Sequence, residues 1–144
     1  MGIPREIWSP LTVIEPGKSI MEAARLMKSA RAGALVVMDG GKMAGIISER
    51  DIMTKVVAEK RDAAATKVRD VMVSPVLTVR EEDSVEGALQ HMSHRHIRHL
   101  PLVDKDGKPE AILSIRDLLR FKLKEMEKEN ESLEAFLTAD GPGG

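Results

Sequence analysis

The sequence predicts an α/β (α+β) fold: two β-α-β-β-α repeats packed as a pseudo-two-fold tandem pair, with an extended C-terminal helix. Three observations lead there. Similar stretches recur about 65 positions apart, each copy alternates short apolar runs with helical stripes, and 144 residues suit one domain of roughly 150. The boundaries expected are 8–60 for the first repeat, 61–69 for a connector, 70–125 for the second repeat and 126–144 for the helical extension and a frayed tail.

The repeat rests on matched positions. Leu11-Thr12-Val13 recurs as Leu77-Thr78-Val79, 66 positions later. Ile20, Ala24 and Met27 match Val85, Leu89 and Met92 at an offset of 65, and Ala34–Asp39 matches His99–Asp104 at the same offset. Gly41, Ser48, Arg50 and Asp51 match Gly107, Ser114, Arg116 and Asp117 at 66. The two changes of length fall in expected loops, where they cost least.

In the first copy, Leu11–Ile14 is a short extended piece after Pro10. Ser19 and Glu22 form a capping-box pattern that opens a helix with Ile20, Ala23, Ala24 and Met27 on one face. Leu35–Met38 and Met43–Ile47 are apolar strands joined by Asp39-Gly40-Gly41-Lys42, a hairpin turn signal. Ser48 caps a helix expected to run to about Glu59. In the second copy, Asp83 or Ser84 starts a helix bearing Val85, Ala88, Leu89 and Met92. Leu100–Val103 and Glu110–Ile115 are strands, and Ser114 opens the last helix. Pro101 lies inside an apolar strand, which predicts either an edge position or one missing ladder bond. The connector is too short for the copies to move independently, so two small units with half-covered sheets should pack on one another.

Composition narrows the function. With no Cys there is no thiol nucleophile, thiolate zinc site or disulfide framework. A formal net charge of -1 argues against a dedicated nucleic-acid binder. One Trp, two Phe and no Tyr leave little on which to stack bases. No run approaches ~18 apolar residues, so no transmembrane helix is expected. The start has no secretory apolar core, so a cytoplasmic protein is expected.

The segments Gly45-Ile46-Ile47-Ser48-Glu49-Arg50-Asp51-Ile52 and Ala111-Ile112-Leu113-Ser114-Ile115-Arg116-Asp117-Leu118 carry a family resemblance. With Ile97–Asp104 and Asp70-Val71-Met72, they resemble a tandem CBS-domain pair, the Bateman module, over residues 9 to 125. One Ser-x-x-Asp is a worthless signal; two of them, each after an apolar strand and an Asp–Gly turn, are specific. The resemblance implies a regulatory module, not an enzyme. It implies AMP, ADP or ATP bound in two clefts between the repeats, with NAD(H) or S-adenosylmethionine as alternatives. It also implies a disc-like homodimer formed through the repeat helices. By the same resemblance, Asp51 and Asp117 accept from ribose hydroxyls while Ser48, Ser114, Arg50 and Arg116 approach phosphate.

Elementary chemistry supports those roles. Ser48 and Ser114 stand where a strand becomes a helix, and the first helical N–H groups have no internal partner. A carboxylate only accepts hydrogen bonds, so it suits a ribose diol and repels phosphate. Arginine supplies the compensating fork of donors. The bland alternative makes the serines ordinary caps and the aspartates dipole partners. Arg98 and His99 answer to the uncharged Gly33 and Ala34, and the resemblance sets them beside phosphate. The two clefts are therefore expected to differ, with the Arg98/His99 side preferring the more charged tail. Aliphatic groups are expected to hold the base: Leu11 and Val13 with Ile46 in one cleft, and Val76, Thr78 and Ile112 in the other, with Ile97 nearby. Ala111 in place of Gly45 raises a doubt about access to the second cleft.

All four histidines lie between residues 91 and 99, but their spacing is not that of a metal site. No metal is expected. No nucleophile elbow is present, so catalysis is not expected either. Leu119, Leu123, Met126, Asn130, Leu133 and Leu137 are spaced 4-3-4-3-4, a heptad-like seam on a helix of about 36 Å. That seam either lies back on its own domain or meets a partner helix. Two functions remain: an adenosyl-nucleotide sensor acting in trans on another protein, or a scaffold of the same fold that binds no ligand.

Overall fold

A computed structural model describes residues 2–139; the tail Asp140–Gly144, read as frayed, lies outside the described residues. The first repeat contains β1 (Val13–Ile14), α1 (Ile20–Ala30), β2 (Ala34–Asp39), β3 (Lys42–Ser48) and α2 (Glu49–Ile52). The second contains β4 (Val79–Arg80), α3 (Val85–Arg95), β5 (His99–Val103), β6 (Pro109–Ser114) and α4 (Ile115–Ala139). Each sheet has three strands, in the orders β1-β2-β3 and β4-β5-β6. The first pair of each is parallel and the second antiparallel. The register slips after Val37 in one sheet and after Leu102 in the other, so even the irregularity repeats.

The caps explain where the helices begin. Ser19 Oγ accepts from Glu22 N–H at 3.1 Å, and Glu22 Oε2 accepts from Ser19 N–H at 2.8 Å, the expected reciprocal box. In the second repeat Ser84, rather than Asp83, is the cap, and its Oγ accepts from Gly87 N–H at 2.9 Å. Glycine at that third position leaves no side chain to return the bond. Both helices end on a left-handed residue, Arg31 and His96, each with φ of 54°. The helix expected to reach Glu59 is shorter: α2 widens after Ile52 into a π-helical turn over Met53–Val57.

Pro101 sits in β5, the middle strand of its sheet, so an edge position is excluded and the missing ladder bond is the explanation. Its counterpart Val36 donates N–H to Thr12 O at 3.0 Å. Proline has no N–H to give, and the ladder lacks that bond on the side facing β4.

Each sheet covers its own core. Ile20, Met27, Leu35, Val37 and Ile47 are buried in the first, and Val85, Met92, Leu100, Leu102 and Leu113 in the second. What joins the units is an exchange of the segments preceding β1 and β4. Val73 pairs with Ile46 of β3 through bonds of 2.8 and 3.1 Å. Ser9 pairs with Ile112 of β6 through bonds of 2.9 and 3.1 Å. Ile3 is accordingly buried in the core of the second repeat, at 2 % exposure. The connector also straps the first repeat: Ile20 N–H donates to Thr66 O and Val68 N–H to Lys18 O.

Candidate functional site

The exchange of leading segments creates two clefts, because each strand-to-helix junction then faces chain from the opposite repeat. The first cleft, about 310 Å³, holds Ser48, Arg50 and Asp51 at one end and Ile46, Val76, Leu77 and Ile97 along its aliphatic wall. The second, about 460 Å³, holds Ser114, Arg116 and Asp117 with Ser9, Pro10, Thr12 and Ile112. Both are of a size that suits a small ligand.

The expected aliphatic pairing is corrected on these grounds. Ile46 faces Val76, not Leu11 and Val13, because Val73 is laced to Ile46 and carries the residues after it across. Ile112 faces Pro10 and Thr12, not Val76 and Thr78, because Ser9 is laced to Ile112. Leu11, Val13 and Thr78 line neither cleft, and Val13 is 47 % exposed on the outer strand β1.

At each junction the serine is a helix cap. Ser48 Oγ accepts from Asp51 N–H at 3.2 Å, and Ser114 Oγ accepts from Asp117 N–H at 3.1 Å. The cap role and a place in a cleft therefore coexist. The aspartates are held differently. Asp51 Oδ2 accepts from both Ser48 N–H and Ser48 Oγ–H at 2.9 Å, and its Oδ1 lies 3.2 Å from Lys55 Nζ. Asp117 Oδ2 instead accepts from Ser9 Oγ–H at 3.0 Å, a bond from the exchanged segment. Asp117 thus has more acceptor capacity left for a ligand.

Arg98 and His99 do not belong to one side; they line both clefts, as does Glu49. The expectation that Arg98 and His99 serve one cleft alone fails for that reason. Arg50, Arg95 and Arg98 meet Glu49 and Asp51 in the first; Arg31, Arg98 and Arg116 meet Glu49 and Asp117 in the second. The formal balance is the same. Gly33, the counterpart of Arg98, makes this sharing possible: a methyl there would stand 3.0 Å from His99 Nε2. Burial lowers the His99 pKa, Glu49 opposes that shift, Arg98 adds to it and Asp117 opposes it. An uncharged imidazole is thereby favoured between the two clefts.

Sequence reasoning missed Glu49, Arg95 and His96 as lining residues. Glu49 follows a cap serine whose partner in the other repeat precedes Ile115, so no repeated pattern drew attention to it. The doubt over Ala111 is removed as well. A Cβ at Gly45 would meet Met72 Sδ at 2.6 Å and Val73 O at 2.9 Å, so that glycine admits the exchanged segment rather than a ligand. Ala111 is buried in its own core, and neither residue lines a cleft. Among the described residues no three His, Asp or Glu side chains gather as a metal site, and His94 Nδ1 is engaged by Gln90 O at 2.8 Å. No described helix is long and apolar enough to cross a membrane.

Comparison with known proteins agrees with this architecture. The CBS-domain family model matches residues 5–58 and again 68–124. The chain is 35 % identical over 124 residues to the mitochondrial CBS domain-containing protein CBSX3 of Arabidopsis thaliana, covering 83 % of this chain and 60 % of that protein. It is 35 % identical over 97 residues to the CBS domain-containing protein YhcV of Bacillus subtilis, covering 67 % of this chain and 69 % of that one. It thus spans 60 % of the first relative, and 65 % and 54 % of two archaeal ones, from Acidianus ambivalens and Methanopyrus kandleri. Among solved structures, a signal-transduction protein with CBS domains from Burkholderia ambifaria superposes with a TM-score of 0.76 at 34 % identity, covering 85 % of this chain and 88 % of that one. The CBS pair of protein MJ0100, solved in complex with 5-methylthioadenosine and S-adenosyl-L-methionine, superposes with a TM-score of 0.73 at 28 % identity, covering 81 % of this chain and 96 % of that one.

Proposed function

Because the chain belongs to the CBS-domain family, whose domains are regulatory rather than catalytic modules, we propose that it is a regulatory adenosyl-nucleotide sensor. The observation that carries this reading is the composition of the two clefts. Each joins an aliphatic wall, a carboxylate beside a capped helix start, and arginines. An adenine fits the wall, since apolar burial does not require aromatic rings. A ribose diol fits the carboxylate, and an anionic tail fits the arginines. AMP, ADP and ATP share all three parts.

The roles follow from position. Ile46, Val76 and Ile97 hold the base in the first cleft, and Ile112 with Thr12 holds it in the second. Asp51 and Asp117 take the ribose. Ser48, Arg50, Ser114 and Arg116 approach the tail from either end, and Arg98 with His99 meets it between the clefts. A cytoplasmic location suits a sensor of free adenine nucleotides. Met21 of α1 and Met53 and Val57 of the turn after α2 are exposed, and they suit a homodimer formed through the repeat helices.

A second reading has its own support. Glu49 reaches both clefts, and a carboxylate there opposes a long phosphate tail but suits a cationic one. That favours S-adenosylmethionine, whose tail carries an ammonium and a sulfonium, and the MJ0100 pair binds that ligand.

Calorimetric titration of the whole chain with AMP, ATP, NAD(H) and S-adenosylmethionine tests both readings. A hydrogen bond to a charged group is worth about 1.5–3 kcal/mol, or roughly 10- to 150-fold in affinity. Asp117→Ala is expected to lose that much, and Asp51→Ala less, since Asp51 is already committed to Ser48 and Lys55. Absence of heat with all four ligands would favour the scaffold reading instead.

A further inference from the structure

The seam on α4 is left uncovered by its own domain. Leu119, Leu123, Met126, Leu133 and Leu137 are 46, 60, 54, 56 and 60 % exposed, and Asn130 between them is exposed too. These residues lie in one line, about 27 Å long at 1.5 Å per residue. A contiguous apolar strip of this kind on a helix signals a partner. The same helix begins firmly anchored, with Leu118 fully buried and Lys122 Nζ 2.6 Å from Glu86 Oε1. The strip is therefore presented on a helix whose root is packed into the core of the second repeat.

We propose that α4 pairs with α4 of a second copy of this chain as a short parallel, in-register coiled coil. In heptad terms Leu123, Asn130 and Leu137 fall at a positions, and Leu119, Met126 and Leu133 at d. Asn130 selects the occupant. In a parallel pair an a residue faces its own counterpart, so two Asn130 amides meet and each supplies a donor and an acceptor. In an antiparallel pair a faces d, and each amide would be set against Met126 of the other copy without a partner. On its own helix the Asn130 amide has only a long bond of 3.5 Å to Glu134 Oε1, so it is free to turn inward.

Flanking charges do not decide the orientation. In the parallel pair Lys122 faces Glu127 of the other copy favourably, while Glu129 faces Glu134 unfavourably. In the antiparallel pair Arg120 faces Glu134 favourably, while Glu127 and Glu129 each face their own counterpart. The polar a position therefore decides. Five half-exposed apolar side chains over this length bring the interface close to the lower bound of about 1,000 Å² for a specific contact. The α4 contact is therefore not an obligate interface by itself, and it adds to any pairing of the repeat helices.

The chain has no Cys, so a single introduced thiol reports geometry without interference. In the full chain under mild oxidation, Leu137→Cys is expected to give a covalent dimer, and Lys124→Cys, on an outer heptad position, is not. Leu133→Glu, at an exposed site outside the core, is expected to move the monomer–dimer midpoint in sedimentation velocity at least tenfold upward with helix content unchanged. A protein that is monomeric at every concentration, equal cross-linking at both thiols, or a dimer indifferent to Leu133→Glu would overturn the proposal. None of these readouts depends on nucleotide, so they fail or succeed separately from the sensor reading.

Discussion

His99 shows how one side chain ties charge to burial. It packs against Gly33, where a Cβ would stand 3.0 Å from the ring and push it by a few tenths of an ångström, and burial lowers its pKa below the ordinary 6.5. For folding, a lowered pKa means the unfolded chain binds the proton more readily. The stability from an uncharged His99 is therefore complete above about 6.5 and is lost as pH falls from there through the folded value. Ligand binding has the opposite sign. A phosphate tail favours the imidazolium, so affinity for AMP is expected to rise as pH falls from 8 to 6, with proton uptake seen when titrations are repeated in buffers of different ionisation heat. His99→Gln is expected to flatten that dependence, and a slope unchanged in this variant would show that His99 is not the group responsible.

Equivalent residues of the two repeats are not interchangeable, and this is legible only at the scale of elements. Ser19 and Ser84 are both caps, but only Ser19 has a returning carboxylate, and its backbone N–H lowers the Glu22 pKa. Ser19→Ala is expected to cost about 1 kcal/mol, within the usual range for a lost cap, and Glu22→Ala less, since the Ser19 cap bond remains. Thermal unfolding of the two variants side by side measures the difference. The helices after Ser48 and Ser114 diverge more. Both begin with a Ser-x-x-Asp cap, yet α2 gives way to a π-helical turn after Ile52 while α4 continues for 25 residues. The continued apolar spacing past Leu119 announces the longer helix, whereas no residue pattern near Met53 announces the widened turn. Pro101 is legible only in half: its missing N–H is certain from its identity, but its place in the middle of the sheet depends on β4, which is far away in sequence.

The whole molecule is held together by trading its leading segments. Ile3 completes the core of the second repeat, and Ser9 reaches both Ile112 and the Asp117 carboxylate. Ile3→Ala is expected to destabilise the protein by about 2–5 kcal/mol, the usual cost of truncating a buried aliphatic side chain. In denaturant titrations the loss should fall on the second repeat first if the repeats separate, and on the single transition if they do not. A cost below 1 kcal/mol would mean that the segment is not seated as described.

The repeat, its strand and helix order, the caps at Ser19, Ser48 and Ser114, and the Ser-x-x-Asp junctions were readable from residues alone. They are set by interactions within a few positions, and a duplicated unit states them twice. Most of the candidate site was legible in the same way, including Ile46, Val76, Arg98, His99, Ile112 and both aspartates. What the chain order concealed was which wall faces which junction. Only the folded molecule places Val76 opposite Ile46, brings Pro10 and Thr12 to Ile112, and sets Arg98 and His99 between two clefts. The reason is that these contacts join segments tens of residues apart through a two-fold relation. Two short strand pieces can satisfy their backbone groups on either sheet, and the choice between the sheets is made by packing, not by local sequence.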